Sequence, residues 1–243
     1  MSVSNERREV VKGDALEKGD PVADPVVVVR YSTAARINHW LTAGGFVLLA
    51  LSGFALFHPS LYWLTGLFGG GQWTRTVHPW FGVFLFLGFT GLFLRFWRVN
   101  LWSPADGSWL KNIHTFLAGD EDKMPEVGRF NFAQKAVFWW MGILILIMIG
   151  TGVVIWEQYF GAYTTLDQKR IAVLVHSIGA IVMVCILIVH IYGAFWARGT
   201  MTAMVKGKVS GGWAFKHHRM WLRQLARSDK TNHVRTPTGT PAE

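Results

Sequence analysis

The chain has one cysteine, Cys185, in 243 residues. A single cysteine makes no intramolecular disulfide and no cysteine-rich metal site, and without a Cys-x-x-Cys-His sequence covalently attached haem is excluded. Cys185 lies amid apolar residues and reads as a small packing residue. Acidic residues are missing from particular places. None of the 15 Asp and Glu falls within the four long apolar runs, Ile37–Phe57, Val77–Leu94, Ala136–Trp156 and Ile171–Trp196. A helix-bundle di-iron centre needs carboxylates in its core, so that chemistry is excluded. The first 29 residues mix charges of both signs and contain no apolar stretch beyond Val26–Val29. No cleavable signal is expected there, and the first apolar run is expected to direct insertion.

What is abundant is uninterrupted apolar sequence. The apolar share is 51% and the mean hydropathy is +0.27. Each of the four runs meets the roughly 20 residues that a membrane-crossing helix requires. Buried helices of soluble proteins keep a polar stripe, and these runs have none. The net charge of +9 invites a nucleic-acid reading, but its placement argues otherwise. Of the 24 Lys and Arg, 21 lie in residues 1–36, 95–135 and 197–243, and three in 58–76 and 157–170. That is the asymmetry by which cytoplasmic segments are marked. The expected fold is therefore all-α, an integral membrane four-helix bundle running up-down-up-down, with both termini cytoplasmic and no nucleic-acid partner. Trp40, Trp80, Trp97, Trp156 and Trp196 sit at the ends of the runs, as an aromatic belt requires. The expected organisation is a disordered or extended segment over 1–29, a four-helix membrane domain over 30–199 and a basic cytoplasmic tail over 200–243, with disorder over 1–24 and 229–243. Within the long inner loop, residues 109–117 are amphipathic and suit the membrane interface, and the stretch 200–227 reads as an interfacial helix or a docking surface on the cytoplasmic side.

Ionisable side chains inside a span are costly and mark function. Four of the nine histidines lie in or at the runs. His176 and His190 share the fourth run, 14 residues apart. At helical periodicity both face one side, about 21 Å apart along the axis. The first run starts inside, which places His39 near the cytoplasmic face. The second and fourth start outside, so His78 lies at the depth of His176, and His190 at the depth of His39. Each pair can clamp an iron axially, and glycines 44, 45, 82 and 179 would admit a flat macrocycle. Two b-type haems follow, His78 with His176 holding the outer iron and His39 with His190 the inner. Bis-histidine ligation leaves no open iron position, which suits electron transfer. Any one of these histidines could instead be interfacial, hydrogen-bonded or part of a proton relay; the joint depth match favours haem. His58 is offset about 100° from His39 and reads as a surface residue. His114, His217, His218 and His233 read as solvated or subunit-contacting.

The pieces Arg36-Ile37-Asn38-His39-Trp40, Leu51-Ser52-Gly53, Thr76-Val77-His78-Pro79, Gly128-Arg129-Phe130-Asn131, Gln134-Lys135, Thr151-Gly152-Val153-Val154-Ile155-Trp156 and Leu187-Ile188-Val189-His190 resemble the cytochrome b556 (gamma) subunits of membrane-bound formate dehydrogenases, over about residues 30–220. The resemblance implies a multi-pass protein of the bacterial inner membrane. It implies partners, an iron–sulfur beta subunit with its own anchor helix and a molybdenum- or tungsten-pterin alpha subunit that oxidises formate. It also implies that electrons cross from the outer to the inner haem and reduce a quinone near the cytoplasmic face, beside Asn131, Gln134 and His190. Ala133 stands where the family carries glycine. From the residues themselves, Asn131 and Gln134 are amides able to bond a quinone carbonyl, or, for Asn131, to cap the third helix. The chain would not be an enzyme alone but the electron-transferring, quinone-reducing subunit of one. Alternatives are the cytochrome b subunit of a hydrogenase or thiosulfate-reductase-like complex, and a haem-free membrane anchor.

Overall fold

The computed structural model describes residues 27–120, 123–197, 199–227 and 234–235. The disorder expected over 1–24 and 229–243 lies outside the described residues. In chain order the elements are β1 (Val27–Val29), α1 (Thr33–Phe57), α2 (Gly71–Phe96), α3 (Pro104–Lys111), α4 (Ile113–Leu117), α5 (Phe132–Ile155), α6 (Glu157–Phe160), α7 (Leu166–Trp196), α8 (Thr200–Lys206), β2 (Lys208–Ser210), α9 (Gly211–His217), α10 (Arg219–Arg227) and β3 (Val234–Arg235). They form two compact units, one of residues 33–102 and 132–198 and one of 1–32, 103–131 and 199–243.

The first unit is the four-helix bundle. Its long helices α1, α2, α5 and α7 correspond to the four apolar runs, and each is long and apolar enough to cross a membrane. Every one begins about a turn before its run, because hydropathy marks only the apolar stretch while the helix extends into polar ends. Capping explains one such start: Thr165 and Gln168 form a capping box ahead of α7, satisfying two of the donors a helix leaves unpaired. Neighbouring helices are antiparallel, as side-chain contacts prove. Ser52, late in α1, meets His78, early in α2. Phe93, late in α2, stacks on Phe138, early in α5, at 5.3 Å. Thr151, late in α5, meets His176, early in α7. The up-down-up-down order is thus present. Large apolar side chains point outward along all four helices, among them Leu41 at 56% exposure, Leu87 at 63%, Leu146 at 62% and Ile188 at 60%. A water-soluble monomer does not leave apolar surface on that scale uncovered. A bilayer covers it, so the chain is an integral membrane protein.

The core of the bundle is Phe46, Leu85, Leu144, Ile145 and Met183. Phe46, Leu85 and Met183 each lie seven residues, two turns, from a histidine on the same helix, His39, His78, and both His176 and His190. The apolar layer therefore sits about 10 Å along the axis from each histidine level.

The second unit joins the remaining segments. Antiparallel pairing of β1 with β2 (Val28 opposite Val209) and with β3 (Val28 opposite Val234) makes a three-stranded sheet in the order β2-β1-β3. Val28, Val209, Ala203, Ala214 and Trp221 form its core. The amphipathic stretch 109–117 becomes α3 and α4, and Ser103 starts α3 through bonds from its backbone N–H and hydroxyl to Asp106 at 2.6 and 2.7 Å. His218 departs from expectation. It is not solvated but 2% exposed. Its Nδ1 donates to the Gly128 carbonyl at 2.8 Å and its Nε2 accepts from Arg30 at 3.1 Å, with Trp213 and Trp221 against its ring. Burial first, then the charge of Arg30, with smaller contributions from His217 and Arg129, pushes its pKa down to about 3. The unfolded chain binds this proton near pH 6.5 and the folded chain does not. Stability is therefore complete above that pH and falls as pH drops towards 3, by about 1.4 kcal/mol per pH unit. Limited proteolysis of this unit should accelerate steeply between pH 6 and pH 4, and His218→Gln should flatten that dependence.

Candidate functional site

The helix geometry brings the four histidines together in pairs. His78 of α2 and His176 of α7 have ring centroids 6.3 Å apart. His39 of α1 and His190 of α7 have ring centroids 6.3 Å apart as well. With metal–nitrogen bonds of about 2 Å, a six-coordinate metal between two imidazole nitrogens sets the ring centroids about 6.2 Å apart. Both spacings would suit an iron held between the two rings of a pair. Among the described residues there is no group of three or more His, Cys, Asp or Glu close enough to hold a metal. What each level offers is two imidazoles facing one another.

Around the His78–His176 pair the second layer is built. Ser52 of α1 bonds His78 Nδ1 at 2.8 Å, and Thr151 of α5 bonds His176 Nδ1 at 2.8 Å. Each hydroxyl has one proton. Ser52 donates its own to the Leu48 carbonyl at 2.8 Å, and Thr151 to the Ile147 carbonyl at 2.7 Å. Where that proton stays on the carbonyl of its own helix, the hydroxyl accepts from the ring, and Nδ1 then carries the hydrogen while Nε2 keeps its lone pair. That is the tautomer a ligand binding through Nε2 needs. Glycines complete the seats. A Cβ on Gly53 would lie 3.2 Å from His78 Cε1, and one on Gly152 would lie 3.5 Å from His176 Cε1. A hydroxyl followed by glycine therefore holds a histidine of the next long helix, twice over.

The His39–His190 pair is plainer. Among the described residues His39 Nδ1 is buried without a hydrogen-bond partner. His39, His78 and His176 are half-buried, while His190 is exposed on the bundle. The glycines expected to admit a macrocycle divide. Gly44 faces open space, and Gly82 has only Leu49 nearby, at 3.8 Å from a built Cβ. Gly45 and Gly179 instead make room for Phe84 and Met148, whose atoms would lie 2.8 and 2.9 Å from an added Cβ. Gly193, three residues beyond His190, also faces open space.

Gln134 lies in the first turn of α5, and Asn131 directly precedes that helix. A groove at the start of α5 is lined by residues including Trp102, Phe132, Lys135, Trp139 and Trp140, and neither Gln134 nor His190 lines it. There Lys135 Nζ donates to the Leu101 carbonyl at 3.0 Å and Trp139 Nε1 to that of Asn100 at 2.9 Å. His58 is an exposed residue whose Nδ1 accepts from Ser60 N–H at 3.2 Å. Sequence reasoning gave Ser52 and Thr151 no role. The available signal was a hydroxyl–glycine pair within an apolar run of the first and third spans.

Comparison with known proteins gives a consistent grouping. The family model described as prokaryotic cytochrome b561 matches residues 30–207. The formate dehydrogenase cytochrome b556(fdo) subunit of Escherichia coli is 40% identical over 201 residues, covering 83% of this chain and 94% of that protein. The nitrate-inducible formate dehydrogenase cytochrome b556(Fdn) subunit of the same organism is 38% identical over 203 residues, 84% and 94% of the two chains. The formate dehydrogenase cytochrome b556 subunit of Haemophilus influenzae is 35% identical over 203 residues, 84% and 85% of the two chains.

Proposed function

The chain belongs to the prokaryotic cytochrome b561 family, and from that premise we propose that it is the membrane electron-transfer subunit of a formate dehydrogenase complex in the bacterial inner membrane. The observation that carries the electron-transfer part of this reading is the pair of histidine pairs, each with centroids 6.3 Å apart, and the formate part rests on the relatives. His78 and His176 would hold one b haem and His39 and His190 the other. A b haem with two imidazole ligands supplies one-electron transfer and offers no open iron position. The chain's own part is to hold the four rings, to fill the space between the two levels with Phe46, Leu85 and Met183, and to keep water out of it.

In this reading both termini lie in the cytoplasm, and His78 and His176 lie towards the outer face. Electrons enter there from an iron–sulfur subunit with its own anchor helix, served by a molybdenum- or tungsten-pterin subunit that oxidises formate. They leave at His39 and His190 to a quinone, whose contacts on the bundle are, by resemblance to the family, Gln134 and His190. Each charge moved inward against 100 mV costs about 2.3 kcal/mol, which the potential drop from iron–sulfur donor to quinone must supply. Purification through a tag on this chain tests the assignment. Co-purification of an iron–sulfur subunit and of molybdenum or tungsten, with haem reduction on adding formate, is the expected result. Nickel in place of those metals, with reduction by hydrogen, would assign the chain to a hydrogenase instead.

A further inference from the structure

The two histidine pairs differ in what lies behind them. His78 and His176 each hydrogen-bond a hydroxyl through Nδ1 at 2.8 Å, whereas His39 Nδ1 has no such partner among the described residues. Hydroxyls in membrane helices ordinarily bond only a carbonyl of their own helix. Ser52 and Thr151 do that too, to Leu48 and Ile147. The bond to a ring on another helix is additional. It occurs at equivalent places in the two helical hairpins, 26 residues before His78 and 25 before His176. Ser52 is fully buried, at 0% exposure, so no water competes for its bond.

A ligand imidazole that donates through Nδ1 becomes a stronger base at Nε2. A more basic ligand favours the higher oxidation state of the metal it holds, and such bonding is one of the protein's levers on a haem potential. We propose, resting on the dihaem reading above, that Ser52 and Thr151 are positioning residues. They lock His78 and His176 as Nδ1–H tautomers and hold the reduction potential of that iron site below that of the His39–His190 site. Electron transfer from the first site to the second is then downhill, in the direction that delivers electrons to the cytoplasmic side.

The test is potentiometric titration of the b-type absorbance in the purified complex, comparing wild type with Ser52→Ala, Thr151→Val and the double variant. The component that disappears in His78→Ala identifies the site in question. In the double variant this component should shift positive, its equilibrium constant for reduction rising about tenfold, or about 59 mV for one electron. The other component should stay in place. Ser52→Thr and Thr151→Ser keep the hydroxyl and should keep the wild-type potential. Should Ser52→Ala impair assembly, Ser52→Cys retains bulk with a weaker acceptor and should shift the same component by less. No shift, or an equal shift of both components, overturns the proposal. A wild-type complex with fewer than two titrating haems would instead overturn the dihaem reading.

Discussion

Replacing His176 with alanine should leave the purified protein with one haem b in place of two, and His78→Ala should lose that same haem. His39→Ala and His190→Ala should lose the other. The loss follows pairs rather than helices because each iron would be held by rings from two helices whose centroids are 6.3 Å apart. Removing either ring takes away one of the two side chains that would hold that haem, while the other pair keeps both of its rings. The sharpest contrast is on α7, where His176 and His190 share a helix yet should report on different haems. Their axial separation of about 21 Å makes cross-effects small. The effect is read by pyridine haemochrome content per chain and by which b-type component remains in a redox titration. If His176→Ala and His190→Ala remove the same component, the pairing is wrong.

Gly88→Val should destabilise the bundle by about 1–3 kcal/mol and deplete the His39–His190 haem first. A Cβ at Gly88 would lie 2.7 Å from Thr42 Oγ1, and one at Gly91 would lie 2.6 Å from Asn38 Nδ2. Small residues on the facing side let two membrane helices approach closely. Asn38 can rotate its amide away, but Thr42 cannot yield easily. It is β-branched and stiff at χ1, and its hydroxyl donates to the Asn38 carbonyl at 2.8 Å. Relief must come from moving α1 away from α2. Asn38 directly precedes His39, so the displacement falls on that ligand. Thermal unfolding in detergent and haem content measure the effect. Gly150→Ala is the control, since Gly150 is exposed and a Cβ there meets nothing within 4 Å.

The spans were readable because a bilayer selects for length and apolarity, which are properties of a contiguous segment. The pairing of the four histidines was readable for a related reason: helix rise and alternating direction convert sequence position into depth. What depended on contacts between distant segments was not. Arg30 and His218 meet across 188 positions, in polar sequence that looks like solvated surface. The sheet made by Val27–Val29 with residues beyond 207 is too short to leave a periodic pattern. Glycine was readable as a close approach but not by its neighbour. Gly45 and Gly179 admit Phe84 and Met148, while Gly53 and Gly152 border His78 and His176. Ser52 and Thr151 were invisible as histidine partners because a hydroxyl in an apolar helix satisfies itself locally by default.

In the proposed reading one 27.4 kDa chain would hold two six-coordinate haems. The most direct measurement is haem b content per chain of the purified protein, taken together with the reduced spectrum before and after carbon monoxide. Two haems per chain and an unchanged spectrum are expected, since two imidazoles at each iron leave no position for carbon monoxide. One haem or none per chain, or a spectrum that shifts with carbon monoxide, would contradict it.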